Sequence, residues 1–141
     1  MGEPVDFLGD GWVAAYRAAC AALPERPGAS GRLQLVVTGA PGGQVVWWTD
    51  FADGRAVDAG RGGPALDPDD PVPGDRPLVA LTEPWALAVA VARGEVDLSA
   101  AFMRGAAKTA GDQQALLRLL AVTATPAYRS ATAALAERTT F

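Results

Sequence analysis

The stretch AFMRGAAKTAGD (101–112), running on into QQALLRLL (113–120), sets two glycines and a capping aspartate among small side chains between two apolar segments. Phe102 and Met103 close a short amphipathic helix. Gly105, which has no Cβ to clash, takes the left-handed conformation that ends it. AAKTA is too short to hold a helix of its own and reads as a strand. Gly111 then turns the chain, and Asp112 caps the helix that begins with QQALLRLL. The segment threads a short strand between two helices.

Working outward, GEVDLSAAFMRG starts the short helix, with Asp97 as its cap. PWALAVAVARG before it is helical and apolar nearly all round. PLVALT (77–82) reads as a strand. Thr82 is placed to cap the following helix, with Glu83 and Pro84 in its first turn, where both are favoured. The last helix begins after Thr125-Pro126 and presents Tyr128, Ala131 and Leu135 inward. Upstream, GWVAAYRAACAAL (11–23) carries Trp12, Val13, Tyr16, Cys20 and Leu23 on one helical face, and Pro24 and Pro27 close it. Three strands follow, RLQLVVT (32–38), QVVWWTDF (44–51) and RAVDA (55–59), joined by the hairpin chemistry of GAPGG and ADG. In the first, Leu33, Leu35 and Val37 share one face and Gln34, Val36 and Thr38 the other. Trp47 and Trp48 are neighbours on a strand, so one packs under the helices and the other lies on the outer face. The Pro-rich stretch 62–77, with Asp67, Asp69, Asp70 and Asp75, reads as a solvated loop within a single domain spanning 1–141.

The 141 residues are 50% hydrophobic and 20% charged, with a net charge of −4. A chain of this size buries roughly two-thirds of its unfolded surface. That composition excludes a disordered or collagen-like chain. The mild acidity argues against nucleic acid, which needs a clustered basic surface. One cysteine fits a reducing compartment. MGEPVDFLGDGW lacks the basic and apolar regions of a signal peptide, and Asp6 stands where a myristoylation motif wants Ser or Thr. A cytoplasmic protein is expected.

Catalytic chemistry is hard to assemble. There is no histidine, which removes the usual general base and the commonest metal ligand together. No Ser/His/Asp or Cys/His arrangement exists, and Cys20 lies on an apolar stripe where a buried, inert thiol is expected. GAPGG lacks the Gly-Lys-Ser/Thr of a phosphate loop. The aspartate pair 69–70 has prolines around it rather than the apolar anchor of an acid/base dyad. Neither an enzyme nor a bound metal or redox cofactor is expected. What the chain has in excess is apolar helix, which either packs solidly or encloses a cavity.

The ordered series in EPWALAVAVARGEVDLSAAFMRGAAKTAGDQQALLRLL (83–120) resembles the sterol carrier protein type two family. Its marks are Trp85 opening an apolar helix, Gly94-Glu95, Ala101-Phe102, Gly105 with Lys108, Gly111-Asp112, and the Leu-rich run 116–120. The close match covers about a quarter of the chain, and the remainder agrees in the order of its elements. The resemblance implies an α/β (α+β) fold, a mostly antiparallel sheet of about five strands covered by helices, with an internal hydrophobic cavity. It implies non-covalent binding or carriage of an apolar small molecule such as a fatty acid, acyl chain or sterol-like compound. The residues it suggests for lining are Trp85, Val89, Phe102, Met103, Leu116, Leu117 and Leu120, with Gln113 as the polar contact. Ala107, Thr109 and Gln113 are smaller or more polar than the family's usual residues, which would enlarge the cavity or admit hydrogen-bonding groups. Thr139-Thr140-Phe141 is not the peroxisomal signal of animal members. The alternative is an interaction module with a filled core, accessory to an enzyme or dimerising through the second sheet face. Transient membrane contact and a homodimer both stay open.

Overall fold

The computed structural model describes residues 3–66 and 76–141. Residues 67–75, which hold the four aspartates and most of the expected Pro/Asp-rich loop, lie outside the described residues. In chain order the elements are β1 (Val5–Asp6), α1 (Asp10–Ala21), β2 (Gly31–Ala40), β3 (Gly43–Ala52), β4 (Arg55–Arg61) and β5 (Leu78–Pro84). There follow α2 (Trp85–Ala92), α3 (Leu98–Met103), β6 (Lys108–Gly111), α4 (Gln113–Thr123), α5 (Pro126–Glu137) and β7 (Thr139–Thr140).

Five strands form one mixed sheet in the order β4-β3-β2-β5-β6. The meander β2-β3-β4 is antiparallel, as is β5-β6, but the β2-β5 pair is parallel. A parallel strand in the middle of a sheet is covered on both faces, and β2 is buried continuously from Gly31 to Val37. Leu33, Leu35 and Val37 face the helices together with Trp47, Phe51, Val79 and Leu81, and all seven belong to the core. Helix α1 packs on β4, α2 and α4 pack on β2 and β5, and α5 contacts α1, α2 and α4.

The outer face is covered by the chain itself. Arg32 makes a two-point hydrogen bond to Asp50, at 2.7 and 3.0 Å, and its guanidinium lies 3.8 Å from the Trp48 ring centroid. Gln34 exchanges two hydrogen bonds with the backbone of Leu66, its Nε2 donating at 3.3 Å and its Oε1 accepting at 2.8 Å. Trp47 turns inward against Trp12 and Tyr16, and Trp48 outward, as adjacency on a strand requires.

The helix ends follow their capping residues. Asp97, Asp112 and Thr125 accept from the backbone N–H of Ser99, Ala115 and Tyr128. The expected helix start at Thr82 is corrected. The β5 ladder with β2 runs on through Thr82, Glu83 and Pro84, and the helix begins at Trp85 with no side-chain cap. Seven register pairs with a central strand outweigh a local capping preference. A second two-stranded sheet, parallel β1-β7, joins Val5 to Thr139 and Asp6 to Thr140. It is too short to be read from the sequence.

The two glycines of 101–112 do different work. Gly105 ends α3 at φ +75° in open space, whereas a Cβ at Gly111, at φ +102°, would collide with the Leu78 carbonyl oxygen. Gly105→Ala therefore loses about 1–2 kcal/mol for the left-handed backbone alone. Gly111→Ala adds a backbone collision and loses clearly more, because β6 must move off β5. Urea melts of the two variants check the ranking, and equal losses would refute it.

Candidate functional site

Between the sheet and the helices lies a cavity of about 60 Å³. Its floor is Leu33 and Leu35 of β2, Trp47 of β3 and Glu83 of β5, and its walls include Phe7, Trp12 and Tyr16 on the N-terminal side. Ala88, Val91 and Ala92 come from α2, Leu98 from α3, and Tyr128, Thr132, Leu135 and Ala136 from α5. The aromatic wall is a connected cluster. Trp47 meets Trp12 and Tyr16 edge-on, both at 5.1 Å between ring centroids, and Phe7 links Trp12 to Trp85 and Phe141.

Polar groups in this space are few. The Tyr16 and Tyr128 hydroxyls hydrogen-bond each other at 2.8 Å, and burial holds both phenols well above their ordinary pKa. Thr132 donates its hydroxyl to the Tyr128 carbonyl at 3.0 Å. Glu83 is different. Strand alternation after Val79 and Leu81 turns its side chain inward, where it is 3% exposed. Its Oε2 and the Trp47 Nε1 have no hydrogen-bond partner among the described residues. Burial without a compensating cation pushes the Glu83 pKa up to about 7.

Buried polar atoms are nearly always paired, so an orphaned carboxyl oxygen in a cavity is a candidate ligand contact. Cys20 is fully buried beside Tyr16, and its thiol is pushed up to about 12 by burial, which removes it as a nucleophile at neutral pH. Among the described residues, no three His, Cys, Asp or Glu side chains come together to hold a metal ion. No helix among them is long and apolar enough to cross a membrane.

The eight residues expected to contact a ligand fall elsewhere. Leu116 and Leu120 are buried in the core, and Trp85, Val89 and Phe102 are half-buried. Gln113 is exposed and donates to the Gly111 carbonyl at 3.3 Å. Met103 and Leu117 are 75% and 58% exposed. None of the eight lines the cavity. Trp85 touches one of its walls, the Phe7 ring. The residue that sequence reasoning missed is Glu83, and period-two alternation continued from Val79 would have found it.

A carboxyl group whose pKa is raised on folding binds more protons folded than unfolded between its two pKa values. Stability conferred by the protonated form is therefore present below about 4.5 and is lost as pH rises to about 7. The loss is about 2–3 kcal/mol. Glu83→Gln has no such titration, so its stability stays flatter between pH 5 and pH 8 and exceeds that of the wild type at pH 8. Urea melts at the two pH values measure it, and parallel pH slopes would count against the assignment.

No protein-family model matches this sequence, and no curated protein matches it. In three dimensions the chain is similar to a crystal structure of sterol carrier protein 2, with a TM-score of 0.66 at 19% identity over 91% of this chain and 98% of that one. A solution structure of a conserved hypothetical protein from Thermus thermophilus matches with a TM-score of 0.62 at 17% identity, over 96% of this chain and 95% of the other. The solution NMR structure of a palmitated sterol-carrier-protein-2-like protein from Aedes aegypti has a TM-score of 0.54 at 18% identity, covering 82% of this chain and 89% of its own. At these identities the likeness speaks for the architecture, and the chain has the fold of sterol carrier protein 2.

Proposed function

We propose that this chain, acting as one domain over 1–141, binds an apolar, lipid-like small molecule non-covalently between its sheet and its helices. The observation that carries this reading is the cavity, apolar and aromatic on nearly every side with one orphaned carboxyl group. Ligand pockets have that composition, many apolar walls and a few polar groups that fix orientation. The fold supports it, since one of the structural neighbours is a palmitated protein. The reading is of a binder rather than an enzyme, and the inert Cys20 is consistent with that.

At about 60 Å³ the cavity is smaller than the apolar cavity of about 150 Å³ that takes up benzene. A long ligand must therefore part the helices or extend outward. In an opened state Trp85, Val89, Phe102, Leu116 and Leu120 would extend the lining, with Gln113 at its polar end. The exposed Met103 and Leu117 would touch a membrane or partner during transfer. The same small volume favours the second reading, an interaction module with a filled core, for which homodimerisation is the natural activity.

Ala88 lines the cavity from α2. If the space serves a ligand, Ala88→Leu fills it, abolishes binding of a fluorescent fatty alcohol and leaves stability within about 1 kcal/mol. In a filled core the same change overpacks and loses about 1–3 kcal/mol. Probe titration, urea melts and native mass spectrometry of the purified protein decide between them. A wild type that retains no small molecule and binds no probe supports the interaction module.

A further inference from the structure

The cavity contains one carboxyl group and no cation: Glu83 faces Tyr16 from α1 and Tyr128 and Thr132 from α5, and no arginine or lysine is among the lining residues. One tyrosine hydroxyl donates to the other and Thr132 donates to its own helix, which leaves the accepting tyrosine's O–H as the one neutral donor among these three groups. Two buried atoms remain open, the acceptor Glu83 Oε2 and the neutral donor Trp47 Nε1, in a space walled by the rings of Phe7, Trp12, Tyr16, Trp47 and Tyr128. A carboxylate head group placed here would set two negative charges together with no cation to offset them. A hydroxyl would offer a hydrogen bond and leave the charge of the ionised form uncompensated. An ammonium group supplies the missing positive charge together with donors of its own, and aromatic faces attract it further.

We propose that this cavity is the head-group site of a cationic amine carried on an apolar body, the ammonium pairing with Glu83. The inference rests on the binding reading above and narrows it. The volume suits a head group, since about 60 Å³ holds a few water-sized groups at most. The tail would lie in a neighbouring groove. A surface groove of about 490 Å³ between the α2-α3 connection and α5 shares Val91, Leu98, Tyr128 and Thr132 with the cavity. Val91, Val96 and Leu98 give that groove an apolar side, and the Asp97–Arg129 ion pair at 3.3 Å stands at its edge with Arg93. An anionic lipid could instead place its head at Arg93 and Arg129 and send its tail inward. That arrangement would leave Glu83 unpaired among methylene groups, which is the costlier burial.

Ammonium binding draws on the ionised carboxylate, so affinity rises with pH through about 7, where Glu83 titrates. The groups facing it, Tyr16 and Tyr128, stay neutral throughout that range. The test is calorimetric titration of the full chain with n-decylamine, n-decanol and n-decanoate at pH 8, each below its micelle concentration. Decylamine is expected to bind at least about tenfold more tightly than decanoate, and Glu83→Gln to lose at least about tenfold for decylamine and clearly less for decanol. Decylamine titrations of the wild type at pH 7, in buffers of different ionisation enthalpy, should show net proton release as Glu83 ionises. This second measurement needs no variant. Tighter decanoate binding, unchanged decylamine affinity in Glu83→Gln, or no proton release overturns the amine assignment while leaving the cavity as a binding site. Failure of all three compounds to bind overturns both.

Discussion

The parallel ladder between β2 and β5 is the constraint on which the rest of this structure depends. It runs from the Arg32–Leu78 pair to the Thr38–Pro84 pair and places both strands in the middle of the sheet. Parallel neighbours cannot be joined by a tight turn, so the chain makes the β3 and β4 meander and a long return before β5 can dock. Central strands must be covered on both faces. The helices cover one face, and the backbone of Leu66 with the Arg32–Asp50 pair covers the other. The ladder also carries β5 far enough to bring Glu83 inside. Without that last pair of residues in strand geometry, the carboxyl group would sit on an exposed first turn of α2.

The sheet treats its two buried carboxyl groups in opposite ways. Asp50 on the outer face accepts two hydrogen bonds from Arg32 and has Arg76 at 3.6 Å, so its charge is matched from two sides. Bidentate arginine pairing of this kind is among the stronger charge-assisted contacts. Glu83 on the inner face receives nothing comparable. A fold that pairs one acid so fully and leaves the other open, across the same sheet, separates a structural charge from an available one. The hydroxyl pair of Tyr16 and Tyr128 fits that contrast, because the two groups bond to each other and neither carries a charge that could match Glu83.

Much of the architecture was legible. The strands of the meander, the caps at Asp97 and Asp112, the helix start after Thr125-Pro126, and the two glycines around β6 each depend on local chemistry, and local chemistry is what a sequence displays. The split of Trp47 and Trp48 between faces followed from alternation alone. Three features were hidden. Glu83-Pro84-Trp85 has the composition of a helix start, and only the register with β2, set by residues far upstream, keeps the first two in the strand. The cover of the outer face depends on Gln34 finding the backbone of Leu66, a pairing with no sequence pattern. The cavity takes Glu83, Ala88, Val91, Ala92 and Leu98 from the recognisable motif 83–120, but its other walls come from β2, β3, α1, α5 and the N-terminal segment, which the motif does not include. Attention to the motif placed the expected contacts at Phe102, Met103, Gln113 and Leu116, none of which lines this cavity.

The pairing of β1 with β7 has a kinetic consequence. Its flanking contact, Arg138 Nε to the Glu3 carbonyl, spans 135 positions, so nearly the whole chain must be ordered before the two ends can meet. Closing a loop of that length carries an entropic penalty that two short strands repay poorly. The pairing therefore forms late in folding and opens early in native fluctuations, ahead of the central sheet. Phe7 and Phe141 flank it in ring contact, and Phe7 is also a wall of the cavity. Parting of β1 from β7 would unseat that ring, so the pairing of two short strands helps to keep one wall of the cavity in place.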